Sequence, residues 1–244
     1  MQIDDQGLVL NLKSHGENGL IATIFSKNHG LIKGYLKSSK KKNKLLLFDL
    51  ILFSCRSRVE SALGFISFER KNNLFFNKNN YIFSIIISSI SELCLKLIPF
   101  NEKNLAIYND VLNLLKLSNP QHSAKVYIKH YLLWEFYLLE HLGFGLDLSQ
   151  CAVTGDKQNL RYVSPKTGRV VCEKIGRPWK EKILTLPNFF KNHDSPIEIQ
   201  DLIDGFNLTN YFLNKIALNL FNNKAANLIF RKEIFSKLTT MKKF

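Results

Sequence analysis

The sequence predicts a mixed β and α chain in two parts, a small closed β-barrel followed by a helical bundle. Two observations predict it. Up to about residue 78, apolar residues come in short alternating runs broken by Gly and Asn turn signals, and from Tyr81 onward the apolar period lengthens to that of helices. The 244 residues are 45% apolar, enough for a core of one large domain or two small ones.

Five runs read as strands: Gly7–Leu12, Leu20–Phe25, Leu31–Leu36, Asp49–Val59 and Phe65–Glu69. Gly34 interrupts the third as a candidate bulge. In the fifth, Phe65, Ser67 and Glu69 alternate against Ile66 and Phe68, the pattern of a half-buried strand. Five is the strand count of an OB-fold, although an SH3-like barrel has a similar count. Helices are predicted over Tyr81–Leu97, Asn104–Leu117, Ser123–Leu142, Ile199–Phe221 and Ala225–Leu238. The third is apolar almost all round, which predicts a buried central helix, and Gly143 supplies its stop. The expected division is therefore a barrel over 1–78 and a helical domain over 79–244, with a turn-rich hairpin near 150–176.

That hairpin holds Cys151 and Cys172 in the length frame of a four-cysteine zinc ribbon. The other two ligand positions hold Thr154 and Ile175. A neutral hydroxyl and a hydrocarbon cannot replace thiolates, so no zinc is expected. Cys55 and Cys94 lie in apolar runs and read as buried packing residues. The histidines show no metal spacing, and neither a phosphate loop nor a dinucleotide fingerprint is present. Asp201 and Asp204 read better as helix-start residues than as a catalytic pair. The chain is therefore expected to be non-enzymatic, with no catalytic residue and no cofactor.

Net charge is +14, which suggests a polyanionic partner. The 24 Asn accompany plentiful Lys, a bias that an AT-rich genome alone would produce. A uniform bias would not be patchy, and this charge is: +7 over 1–80, −1 over 81–150 and +8 over 151–244. Apolar runs too short for a membrane helix, an acidic rather than basic N-terminus and only four cysteines lead us to expect a cytoplasmic protein with no membrane partner. The sharpest feature is the basic segment Lys37-Ser38-Ser39-Lys40-Lys41-Lys42-Asn43-Lys44 between two expected strands. Arg56 and Arg58 follow at strand period on one side, and Phe48, Phe65 and Phe68 could offer stacking faces. Lys37, Lys40, Lys41, Lys42, Lys44, Arg56 and Arg58 are the expected nucleic-acid-binding residues.

With those residues in view, the chain resembles the bacterial RecO recombination mediators. The resemblance runs from Asp5–Leu10 through His15-Gly16-Glu17-Asn18 and Phe25–Gly30 to the basic loop and Leu63-Gly64. It continues at Leu139–Leu148, Cys151-Ala152-Val153-Thr154-Gly155 and Tyr162–Gly168, and closes at Leu208–Leu213, with 222–244 matching least. It implies an N-terminal OB-fold, a helical domain, and a zinc-ribbon-like insert that here is degenerate, lacking two of four ligands. It implies binding to single- and double-stranded DNA, annealing of complementary strands, and partnership with RecR. It also implies help in loading RecA onto DNA coated by single-strand-binding protein, whose acidic C-terminal tail would be bound. His122, Lys125 and Lys129 form a basic stripe on the central helix, where that tail is expected. An OB-fold RNA-binding protein of translation or RNA processing is the alternative.

Overall fold

A computed structural model of the chain describes residues 2–37, 45–58, 63–74, 80–117, 122–220 and 227–242. Five strands, β1 (Gln2–His15), β2 (Gly19–Ser26), β3 (Gly30–Lys37), β4 (Asp49–Arg56) and β5 (Gly64–Asn73), close into a barrel in the order β1-β2-β3-β5-β4. All pairings are antiparallel except β3 with β5, where Gly34 faces Gly64 and Tyr35 faces Phe65. This is the five-stranded Greek-key barrel of an OB-fold.

β1 serves two partners, pairing through Gln2–Leu8 with β4 and through Gly7–His15 with β2. A register shift between Val9 and Asn11 bends it around the corner, the usual work of a bulge in a closing sheet. Gly34, expected as a bulge, is not one, because the β2–β3 register runs through it unbroken. It is a close-approach residue instead: a Cβ there would lie 2.6 Å from the Ile66 side chain and 2.9 Å from the Gly64 carbonyl. The barrel core is Val9, Ala22, Ile24, Ile32, Leu36, Leu45, Ile51, Phe53, Cys55 and Ile66.

Two helices pack on the outside of the barrel. α1 (Tyr81–Leu97) is capped by Asn80, which accepts from the Phe83 amide, and α2 (Leu105–Lys116) by Asn104, which accepts from the Ile107 amide. Ser91 of α1 donates to the Leu10 carbonyl at 2.6 Å, and Tyr108 of α2 meets Phe25 edge-on at 5.5 Å. These contacts bury Leu8, Phe25 and Leu31, which point outward from the sheet and would otherwise face water. The chain forms two compact units, Met1–Pro120 and Gln121–Phe244. The change of period near residue 78 thus marks a change of secondary structure, and the compact unit extends past it to take in α1 and α2.

The second unit is built on α3 (Ala124–Leu139), with Tyr127, Ile128, Tyr131, Leu132, Trp134, Leu138 and Leu139 buried around most of its circumference. A wide turn at Glu140–Phe144 follows, and Gly143 at φ 84° ends it, so the regular helix stops three residues short of the expected Leu142. Next comes the expected hairpin, β6 (Leu160–Val163) and β7 (Val170–Cys172), then the single-turn α4 (Glu173–Gly176) and β8 (Leu184–Thr185), which pairs with β6. α5 (Ile199–Leu220) and α6 (Ile229–Met241) complete the unit. Asp201 lies in the first turn of α5, and Asp204, inside it, accepts from Gln200 at 2.8 Å, so Asp204 is not a helix-start residue. No helix among the described residues is long and apolar enough to cross a membrane.

Candidate nucleic-acid interface

β3 alternates strictly, with Ile32, Gly34 and Leu36 facing the core and Leu31, Lys33, Tyr35 and Lys37 facing out. Leu31 is covered where the chain at Phe100 and Asn101 runs beside it. Lys33 and Lys37 are exposed and Tyr35 is half-buried. Registers then carry one outward row around the barrel: Lys13 faces Ile21, Ile21 faces Tyr35, Tyr35 faces Phe65, and Phe65 faces Arg56. Phe65 is 68% exposed, the most open large apolar side chain among the described residues. Its ring meets Tyr35 edge-on at 5.5 Å, and Tyr35 in turn meets His15 edge-on at 6.1 Å. The Tyr35 ring lies over Gly19, where any Cβ would collide with it. The result is an aromatic strip, His15–Tyr35–Phe65, rimmed by Lys13, Lys33, Lys37 and Arg56. Among the described residues none of those four cations forms a salt bridge.

Of the expected DNA-binding residues, Lys37 and Arg56 lie on this belt, and Arg58 is exposed two residues beyond it. Lys40, Lys41, Lys42 and Lys44 lie outside the described residues. Among the three phenylalanines, only Phe65 is available to stack. Phe48 is buried at φ 60°, its amide bonded to the Val9 carbonyl at 2.7 Å, and Phe68 packs against the barrel core. Arg70 is also committed, because its guanidinium binds the buried Asp49 carboxylate at 2.9 Å. Lys13, Lys33, Tyr35 and His15 were missed in the sequence, although the strand period places Lys33, Tyr35 and Lys37 on one side.

The basic stripe expected on the central helix is not a stripe. His122 and Lys125 are half-buried before and within the first turn of α3. Lys129 is buried, its ammonium donating to the carbonyls of His193 and, at 3.2 Å, Ser195. It anchors the 193–195 loop to α3 and cannot also hold a partner's tail.

At the hairpin, Cys151 and Cys172 are buried free thiols, and the Cys172 amide donates to the Cys151 sulfur at 3.3 Å. Burial opposes a thiolate at Cys151, but donors from Thr154, Cys172 and Val153 outweigh it and bring its pKa down to about 6. The Thr154 hydroxyl donates to Asp156 at 2.9 Å, and the position of the fourth ligand holds Ile175. Among the described residues no three His, Cys, Asp or Glu side chains converge on one point. These residues do not fit a structural zinc ion.

A feature with no sequence signal lies deeper in the second unit. Arg231 of α6 donates to both Glu135 oxygens, at 2.7 and 3.0 Å, and to Thr209 at 2.7 Å and Asn210 at 2.9 Å. Both partners are buried, so this pair ties α6 to α3 and α5.

Two family models match the chain, the Recombination protein O N terminal over residues 1–67 and the Recombination protein O C terminal over 79–215. Curated relatives named DNA repair protein RecO match over nearly the whole length. That of Rickettsia canadensis is 35% identical, covering 93% of this chain and 92% of the relative. That of Wolbachia pipientis from Culex pipiens is 32% identical, covering 92% and 95%. That of Bartonella tribocorum is 34% identical, covering 87% and 86%. With both halves matched in order, and relatives this similar end to end, the chain belongs to the RecO family.

Proposed function

We propose that this chain is a DNA repair protein that binds DNA on the open face of its barrel and anneals complementary strands without catalysis. In this role it works with RecR to load RecA onto single-stranded DNA coated by single-strand-binding protein. The observation that carries the reading is the cation-rimmed aromatic strip. Two phosphate backbones repel each other, and cations that neutralise them lower that barrier while the bases stay free to pair. Such chemistry needs no acid, base or metal. Lys33, Lys37 and Arg56 are exposed and form no salt bridge among the described residues, as suits backbone contacts. Phe65 and Tyr35 supply faces for unpaired bases, the usual means of holding a single strand without reading its sequence. Lys40, Lys41, Lys42 and Lys44, which lie outside the described residues, follow Lys37 within seven positions of sequence and are proposed as further phosphate contacts.

The acidic tail of single-strand-binding protein would meet His122 and Lys125 at the start of α3, with Lys129 removed from that site by its bonds to the His193 and Ser195 carbonyls. We read the hairpin at 150–176 as a degenerate ribbon, since Thr154 and Ile175 stand at two of the four ligand positions. The test is annealing of complementary oligonucleotides by the purified protein, naked and coated with single-strand-binding protein. We expect acceleration in both cases. Failure to anneal, combined with tight binding to structured RNA, would favour the RNA-binding reading instead.

A further inference from the structure

We infer that the insert carries a second single-stranded-DNA surface, with Trp179 as its stacking face and Lys174, Arg177, Lys180 and Lys182 as its phosphate contacts. The inference rests on the DNA-annealing reading and adds a site to it. Over 151–182 the chain holds eight Lys and Arg against three Asp and Glu. The cations are displayed rather than neutralised: Lys174, Arg177, Lys180 and Lys182 are all exposed, and Lys180 makes only a long 3.9 Å approach to Glu181. Behind them Lys157, Lys174 and Arg177 share the wall of a cleft of about 860 Å³ with Asp156 and Glu173.

Trp179 is 57% exposed at the end of the short turn Arg177–Trp179. Its position is fixed from both sides. Gly176 is buried against the Tyr162 ring, and the Lys182 amide closes a turn onto the Trp179 carbonyl at 2.7 Å. Lys182 holds its ammonium 5.7 Å from the indole centroid, which leaves most of the ring open. An indole held open by a firm backbone among exposed cations suits a base and its phosphates, and base stacking tolerates any sequence. Annealing requires two strands to be held by one protein or by two. A surface on each compact unit lets one chain hold both.

The protein reports on this site directly, because it has two tryptophans and the other, Trp134, is buried. A thymidine oligonucleotide titrated into the full chain should quench the exposed indole as the anisotropy of labelled DNA rises. Trp179→Phe should abolish the quenching. Lys174→Ala with Arg177→Ala and Lys180→Ala should slow annealing about tenfold or more. Quenching should persist in the Lys33→Ala, Lys37→Ala, Arg56→Ala variant. If the parent binds DNA by anisotropy and no quenching occurs, the second surface is refuted while the barrel reading stands. Loss of quenching in the barrel variant would also refute it, by showing that Trp179 senses only a strand held elsewhere. If no DNA binds at all, the annealing reading falls first.

Discussion

The outer belt of the barrel and the interior of the second unit both set arginine beside aromatic rings, and they differ in what answers the charge. Arg56 stands next to Phe65 on an exposed row, with no salt bridge among the described residues. Arg231 lies 4.9 Å from the Phe206 ring centroid, with its guanidinium bound to Glu135, Thr209 and Asn210. A cation with a carboxylate of its own, shut away from water, is architecture. One whose partner must come from outside is a binding group. Composition counts both among the 34 Lys and Arg, so that number overstates the cations available to DNA.

The largest test of this contrast is Arg231→Ala. It leaves the Glu135 carboxylate buried and unpaired, and should cost about 3–5 kcal/mol of stability. Replacing both partners, as Arg231→Met with Glu135→Leu, should cost much less, because no lone charge remains. Thermal unfolding of the parent and both variants checks this, and an Arg231→Ala protein as stable as the parent would show the pair to be idle. Phe65→Ala should behave oppositely. Stability should hardly change, and affinity for a single strand should fall by about 1–3 kcal/mol with little effect on duplex.

The two lysines of α3 divide in the same way. Lys129→Met removes the buried ammonium that binds two loop carbonyls and should cost roughly 1.5–3 kcal/mol of stability without changing recruitment to coated DNA. Lys125→Glu should leave the fold intact and reduce recruitment. If recruitment survives Lys125→Glu, the tail site lies elsewhere. The test at Cys151 depends on pH. Its folded pKa is depressed, so its contribution to stability is full above the ordinary thiol pKa of about 8.5 and is lost as pH falls through about 6. Cys151→Ser should flatten stability over that window, read by denaturant midpoints at several pH values.

Most of this architecture was legible locally. α1 occupies the Tyr81–Leu97 that the apolar period indicated, the strands lie where alternation and turn residues put them, and Gly143 stops its helix. What was not legible depends on residues far apart in the chain. Glu135 and Arg231 are 96 positions apart, and Lys129 reaches carbonyls 64 and 66 residues away. The belt itself forms because β3 and β5 pair in parallel, which sets Phe65 beside Tyr35. Alternation could say that Leu31, Lys33, Tyr35 and Lys37 share a side. It could not say that the α1–α2 connection at Phe100 and Asn101 would cover the Leu31 end and leave the other open. Phe48 was misjudged for the same reason, since its left-handed backbone turns its ring into the core.

The central claim is that the open belt holds the DNA backbone, and its most direct test is the salt dependence of affinity for a single strand. For the parent, the logarithm of the association constant should fall linearly with the logarithm of salt concentration. Each phosphate contact removed should lower that slope by about 0.7. Lys33→Ala with Lys37→Ala and Arg56→Ala should therefore flatten it by about 2, with the fold unchanged. A folded triple variant with the parent's slope would contradict the claim and leave these cations as a solvated surface.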